Sequence, residues 1–214
     1  DKAYFHGNNK TDADIAYALD CGVGTFICDN SEEIYSLSAQ AKERGITQRV
    51  ILRVTPGIDP HTHKAINTGK VDSKFGVAIE TGQALELIKE ILKLPALKLV
   101  GIHCHVGSLC FDSKPFLKAA RIMVAFMAMV RETTGKTLTV LNLGGGYGVR
   151  YVENDPTFSI PENLRMVAAE VKKCCVDNDF PEPQVLLEPG RSIVADAGVT
   201  LYTVGSIKTI TGYK

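Results

Sequence analysis

The chain has 214 residues, 45% of them hydrophobic, which is enough for one domain with a substantial core. Basic and acidic residues number 24 each, so the net charge is zero and no basic run offers a footing for nucleic acid. No apolar stretch reaches membrane-spanning length, the start Asp1-Lys2-Ala3-Tyr4-Phe5-His6-Gly7 lacks a signal-peptide layout, and six cysteines without a C-x-x-C pair read as reduced thiols of a cytoplasmic protein.

In chain order, Ala3–His6 reads as a short strand and Asp12–Asp20 as a helix capped by Thr11. Thr25–Cys28 is a strand, followed by a helix over Ser31–Arg44 whose Glu32 and Glu33 suit the positive end of the helix dipole. Val50–Val54 is an apolar strand interrupted by Arg53, and the long polar segment Pro56–Gly76 follows. The spacing of Leu85, Ile88, Ile91 and Leu92 predicts a helix over Thr81–Leu94. Leu97–Val106 is a strand. Lys114–Glu132 is a long helix whose Met123, Phe126, Met127 and Met129 read as core packing. Then come a strand over Thr137–Leu143, a helix over Pro161–Asn178, a strand over Val185–Glu188, and a strand-rich tail from Val199 to Ile210.

Six βα steps in succession imply a parallel sheet with helices outside it, as in doubly wound sheets or (β/α)8 barrels. Six units are two short of a barrel, and a chain that starts inside a strand raises the expectation that two units lie upstream. Sites in such folds form where strands end. There stand Gly7 to Lys10, Asp29, Asn30, Arg53, His103, His105, Ser108, Gly144–Gly146 and Glu188–Arg191. Their convergence on one rim is stronger than any single motif.

The run Asn142-Leu143-Gly144-Gly145-Gly146-Tyr147-Gly148 can bring backbone N–H groups against a phosphate, or can simply allow a tight turn. It is neither a dinucleotide fingerprint nor a P-loop. His103 and His105, two apart on a strand, share a face. They suit a metal pair in a hydrolase, with His61 and His63 as possible additions, or a ring stacked on a cofactor, or two satisfied core histidines. Glu188 ends an apolar strand and needs a partner, either Arg191 or a protonated ring nitrogen. Arg53 likewise needs a partner on the rim. Lys74 reads as a solvated loop lysine.

The segments His6-Gly7-Asn8-Asn9-Lys10, Asp72-Ser73-Lys74-Phe75-Gly76, Gly101-Ile102-His103-Cys104-His105-Val106-Gly107-Ser108, Asn142–Gly148 and Glu188-Pro189-Gly190-Arg191-Ser192 together resemble the diaminopimelate decarboxylases. These belong to the alanine-racemase-like (fold type III) enzymes that use pyridoxal 5'-phosphate (PLP). The resemblance implies an α/β, PLP-binding (β/α)8 TIM-type barrel, of which residues 1–214 hold about six units as a single domain. It implies a cofactor site of His105, Ser108, Gly144, Gly145, Gly146, Glu188, Pro189, Gly190 and Arg191. His105 would stack on the ring, Glu188 would pair with the pyridine nitrogen, and Ser108, the glycines and Arg191 would surround the phosphate. Arg191 would also bind a substrate carboxylate. The implied reaction is decarboxylation of meso-diaminopimelate to L-lysine, by a cytoplasmic enzyme that is a homodimer at full length, with a small amino acid as its only other partner and no metal.

Leu109 departs from the family's usual glutamine. The family's Schiff-base lysine would lie upstream of residue 1 and its C-terminal β-domain beyond residue 214, so the chain by itself is expected to be inactive, with no catalytic residue of its own. A non-catalytic PLP-binding homologue, and a metal-dependent hydrolase using His103 and His105, are the alternative readings.

Overall fold

The computed structural model describes residues 2–58 and 74–212; His61 and His63, together with Asp72 and Ser73 of the Asp72–Gly76 segment, lie outside the described residues. The elements run β1 (Tyr4–Phe5), α1 (Asp12–Asp20), β2 (Thr25–Cys28), α2 (Ser31–Glu43), β3 (Gln48–Thr55), β4 (Val77–Ala78), α3 (Gln83–Ile91), β5 (Leu97–His103), α4 (Lys114–Thr134), β6 (Val140–Asn142), α5 (Ile160–Asp177), β7 (Gln184–Leu186) and α6 (Arg191–Val194). Every strand pair is parallel. The sheet runs β1-β2-β3-β5-β6-β7, with β4 pairing onto the end of β3. Six parallel strands in sequence order, with helices between them, make the expected partial barrel.

Local chemistry sets the helix ends. Thr11 and Asp14 cap α1 reciprocally, each side chain bonded to the other's backbone N–H. The Asn30 side chain accepts from Glu33 N at 2.9 Å and starts α2. Pro115 sits in the first turn of α4, and Gly135 ends that helix at φ 71°.

Strand alternation sorts side chains into two cores. Toward the helices, Phe26, Cys28, Val50, Leu52, Ile102, Cys104 and Val106 join Met123, Phe126 and Met127 of α4 in one large cluster. Toward the barrel axis, Ile27, Ile51, Val100 and Val140 form a smaller one, with Leu186 against it. The concave face is therefore apolar below the rim, and the next residues up each strand are the polar ones.

Several expectations need correction. Met129 is 49% exposed and not part of the core; it falls on the outer face of α4. The tail from Val199 to Ile210 forms no strand and lies in solvent, with Val199 and Leu201 each 91% exposed. Residues with a taste for strands form them only beside a partner edge, and among the described residues the tail meets none. The sequence reading also missed the two-residue β4 and the single turn α6. All six cysteines are free, only Cys21 being exposed.

Among the described residues β1 and β7 are each paired along one side only. The tail does not cover either edge, so the 214-residue polypeptide is expected to self-associate through these edges. Sedimentation at micromolar concentration checks this, and a strictly monomeric species would refute it.

Candidate functional site

Six strands of the sheet, all but β4, each deliver a polar side chain to the C-terminal rim. His6 follows β1, Asp29 follows β2, Arg53 lies in β3, His103 ends β5, Asn142 ends β6 and Glu188 follows β7. Ladder register places Arg53 beside His103 and His103 beside Asn142. The alternation that sends Ile102, Cys104 and Val106 into the helix-facing core turns His103 and His105 to the other face.

Glu188 is the centre of this layer. Its Oε1 accepts from Asn142 Nδ2 at 2.7 Å and lies 2.7 Å from His6 Nε2, while Oε2 is 3.4 Å from His103 Nε2. Asn142 is pinned in turn, because its Oδ1 accepts from Gly144 N at 2.9 Å. Burial pushes the Glu188 carboxyl up, but the imidazoles of His103 and His6 outweigh burial and hold it well below the usual carboxylate range. Of the two partners the sequence offers Glu188, Arg191 or a protonated ring nitrogen, the first is not the one that meets it: among protein groups, His6, His103 and Asn142 stand against it. His6 had drawn no attention as a site residue. The signal was there in the alternation, since Phe5 packs into the helix-facing core and the next residue must face the axis.

Burial, then the charges of His103 and Arg53, lower the His105 imidazole to about 4. Burial likewise lowers His103. The His105 ring is therefore neutral near pH 7. Arg53 finds the partner it needed: its guanidinium lies 3.7 Å from Asp29 Oδ1 and over the Phe75 ring, 4.5 Å from the centroid. Asp29 Oδ2 also accepts from Gly76 N at 3.1 Å. Lys74 packs its ammonium over the same ring at 5.0 Å.

The glycine turn after β6 is tightly enclosed. Gly144 adopts φ 65° and Gly146 φ 100°, and a Cβ on Gly145 or Gly146 would collide with the backbone carbonyl of Glu188 or Gly107 respectively. Only glycine fits where these backbones meet. Gly145 N donates to His105 Nδ1 at 3.4 Å, tying the turn to β5, and Glu188 N donates to Gly144 O at 2.8 Å, tying it to β7.

A cavity of 170 Å³ opens there, lined by His105, Ser108, Gly146, Tyr147, Glu188, Gly190, Arg191 and Ser192. Six of the nine residues expected in a cofactor site thus line one cavity. Of the other three, Gly144 and Gly145 form the same turn as Gly146, and Pro189 joins Glu188 to Gly190. Tyr147 and Ser192 are additions, Tyr147 being held by a stack on Phe116 at 5.1 Å. Among the described residues no lysine lines the cavity. A larger open cavity of 720 Å³, between the starts of α2 and α3, shares only Asp29 with the rim layer.

Beside the glycine turn, then, lie a guanidinium, a hydroxyl, a neutral imidazole and a carboxylate. Residues 1–195 match the family model described as pyridoxal-dependent decarboxylase, pyridoxal binding domain. Diaminopimelate decarboxylase of Bacillus subtilis (strain 168) is 40% identical over 214 residues, covering 100% of this chain and 49% of that protein. The enzyme of the same name from Staphylococcus aureus (strain COL) is 41% identical over 209 residues, covering 98% and 48%. Among solved structures, diaminopimelate decarboxylase from M. jannaschii in co-complex with L-lysine superposes with a TM-score of 0.75 at 34% identity, over 89% of this chain and 43% of that one. The Helicobacter pylori enzyme complexed with L-lysine gives 0.78 at 29% identity, over 89% and 45%. The chain spans about half the length of the curated relatives it matches.

Proposed function

The chain belongs to the pyridoxal-dependent decarboxylases, as their pyridoxal-binding domain, and from that premise we propose that its rim binds PLP for the decarboxylation of meso-diaminopimelate to L-lysine. The single observation that carries this is the meeting of the Gly144–Gly146 turn, Arg191 and Glu188 at one cavity. The residues present fit the cofactor. The glycine turn has no side chains to exclude an anion, and nothing lies within 4 Å of where a Gly190 Cβ would be. The carboxylate is held ionised by its neighbours.

Within this reading Arg191, Ser108 and the end of the turn at Gly146, which lines the cavity, bind the phosphate. Arg191 also meets a substrate carboxylate. Glu188, steadied by Asn142 and His6, holds a negative charge where a pyridine nitrogen would be kept protonated. Neutral His105 offers an uncharged ring face. When bound, PLP supplies the electron sink for the bond broken by loss of carbon dioxide. We take residues 1–214 as one partial-barrel domain, the enzyme as cytoplasmic in keeping with its free thiols, and the whole protein as a homodimer. Among the described residues no helix is long and apolar enough to cross a membrane.

Two outcomes test the reading. Arg191→Ala should weaken PLP binding by about 1.5–3 kcal/mol, the worth of a charged hydrogen bond. Fluorescence titration reads this directly, and unchanged affinity would overturn the site. The 214-residue polypeptide with added PLP should release no carbon dioxide from diaminopimelate, because among the described residues no lysine lines the cavity to bind the cofactor covalently. Release above a protein-free control would refute that.

A further inference from the structure

His103 is a fully confined polar side chain of the rim, with a side-chain exposure of 2%. Its Nε2 lies 3.4 Å from Glu188 Oε2, and His6 Nε2 lies 2.7 Å from Glu188 Oε1. Both imidazoles point at Glu188, and the donor atoms of His6, His103 and Glu188 all lie within 4.8 Å of one another. The two rings meet edge to face, with centroids 5.1 Å apart.

We propose that His6, His103 and Glu188 form a binding site for a divalent transition-metal ion of the zinc class. Two imidazoles and one carboxylate are a donor set that such ions take, whereas magnesium and calcium prefer oxygen alone. A tetrahedral ion with ligands about 2.0–2.2 Å away needs donor atoms roughly 3.3–3.6 Å apart. His103 Nε2 and Glu188 Oε2, at 3.4 Å, meet that as they stand. His6 Nε2 rests 2.7 Å from the other oxygen, Oε1, so the His6 ring or the carboxylate must turn to bring both imidazoles onto one oxygen. His6 has room to do so, its side chain being 34% exposed, and Glu188 at 33% leaves the ion a route from solvent.

The surroundings favour the site. The three ligands come from the ends of three different strands of one sheet. Asn142 fixes the carboxylate and is itself fixed by Gly144 N, a second layer of support that metal ligands commonly require. His105 lies outside the set: its Nδ1 faces Gly145 N. The histidine pair suggested by sequence alone, His103 with His105, is thus replaced by His103 with His6.

One consequence rests on the cofactor reading above. An ion on Glu188 and a pyridine nitrogen would compete for the same carboxylate, so metal would occupy the rim only while the cofactor is away.

The test is a calorimetric titration of zinc into the cofactor-free 214-residue protein, with cobalt absorption as a second probe of the same ligands. One ion per chain is expected. Affinity should fall about tenfold or more in His6→Gln and in His103→Gln, and stay unchanged in the double variant His61→Gln/His63→Gln. Circular dichroism confirms that each variant is folded, and the partly exposed His6 keeps the test informative if the His103 variant is not. Absence of stoichiometric binding, or binding lost only in the His61/His63 variant, overturns the site. Pyridoxine 5'-phosphate, which forms no imine, should displace the ion. Binding by the trio without displacement leaves the metal site standing and counts against the cofactor reading instead.

Discussion

Lys10→Met should destabilise the fold by about 3–5 kcal/mol, the usual cost of orphaning one partner of a buried ion pair. Lys10 and Glu33 have side-chain exposures of 2% each, with Nζ 2.7 Å from Oε1. The ammonium also donates to Gly7 O at 2.7 Å and Ile27 O at 2.9 Å, which uses all three of its protons. Glu33 Oε2 accepts from Asp29 N at 3.0 Å. Burial pushes the Glu33 carboxyl up, and the Lys10 charge opposes that. With Lys10 gone, the carboxylate loses its cation and two carbonyls lose their donor. Glu33→Gln in the same chain should recover part of the loss, because the amide oxygen still accepts from Asp29 N and no charge is stranded. Urea unfolding of the wild type, both single variants and the double variant gives the coupling directly. Additive single effects would show that the pair does not act as a unit. The clamp joins the turn after β1 to the turn after β2, so it also sets where His6 and Asp29 stand on the rim.

Acid should unfold the protein by way of His105. Its folded-state value of about 4 lies below the ordinary 6.5. The unfolded chain therefore takes up a proton between those values that the folded chain refuses, and stability rises with pH across that window. The contribution is fully present above about pH 6.5 and is lost as pH falls toward 4. A shift of that size corresponds to at most about 3 kcal/mol, and solvent at the half-buried ring reduces it. His103, lowered mainly by burial, acts in the same direction. Glu188, held low by its two imidazoles, extends the loss further into acid, below the ordinary carboxylate value of 4.5. Urea unfolding at pH 7, 6 and 5 reads the slope. His105→Asn should flatten it by about one proton, and an unchanged slope would refute the assignment.

The sequence by itself determined the parallel βα order, because apolar spacing at periods of 2 and 3.6 marks which residues must be buried. Helix bounds came within two or three residues for the same reason, aided by local caps such as Thr11 and Asn30. The rim was legible because strand ends deliver polar side chains to one edge, and the Gly144–Gly146 turn and Arg191 duly line or adjoin one cavity. Partner choice was not legible. Glu188 meets His6, His103 and Asn142 instead of Arg191, because register and strand stagger, which bring residues 6 and 188 together, leave no mark in any short stretch of sequence. Lys10 gave no hint of burial, since its three acceptors come from the Gly7 turn, Ile27 and Glu33. The tail from Val199 to Ile210 marks the opposite limit: its residues favour a strand, but a strand is a relation between two edges, and only the tertiary structure decides whether the second edge is there.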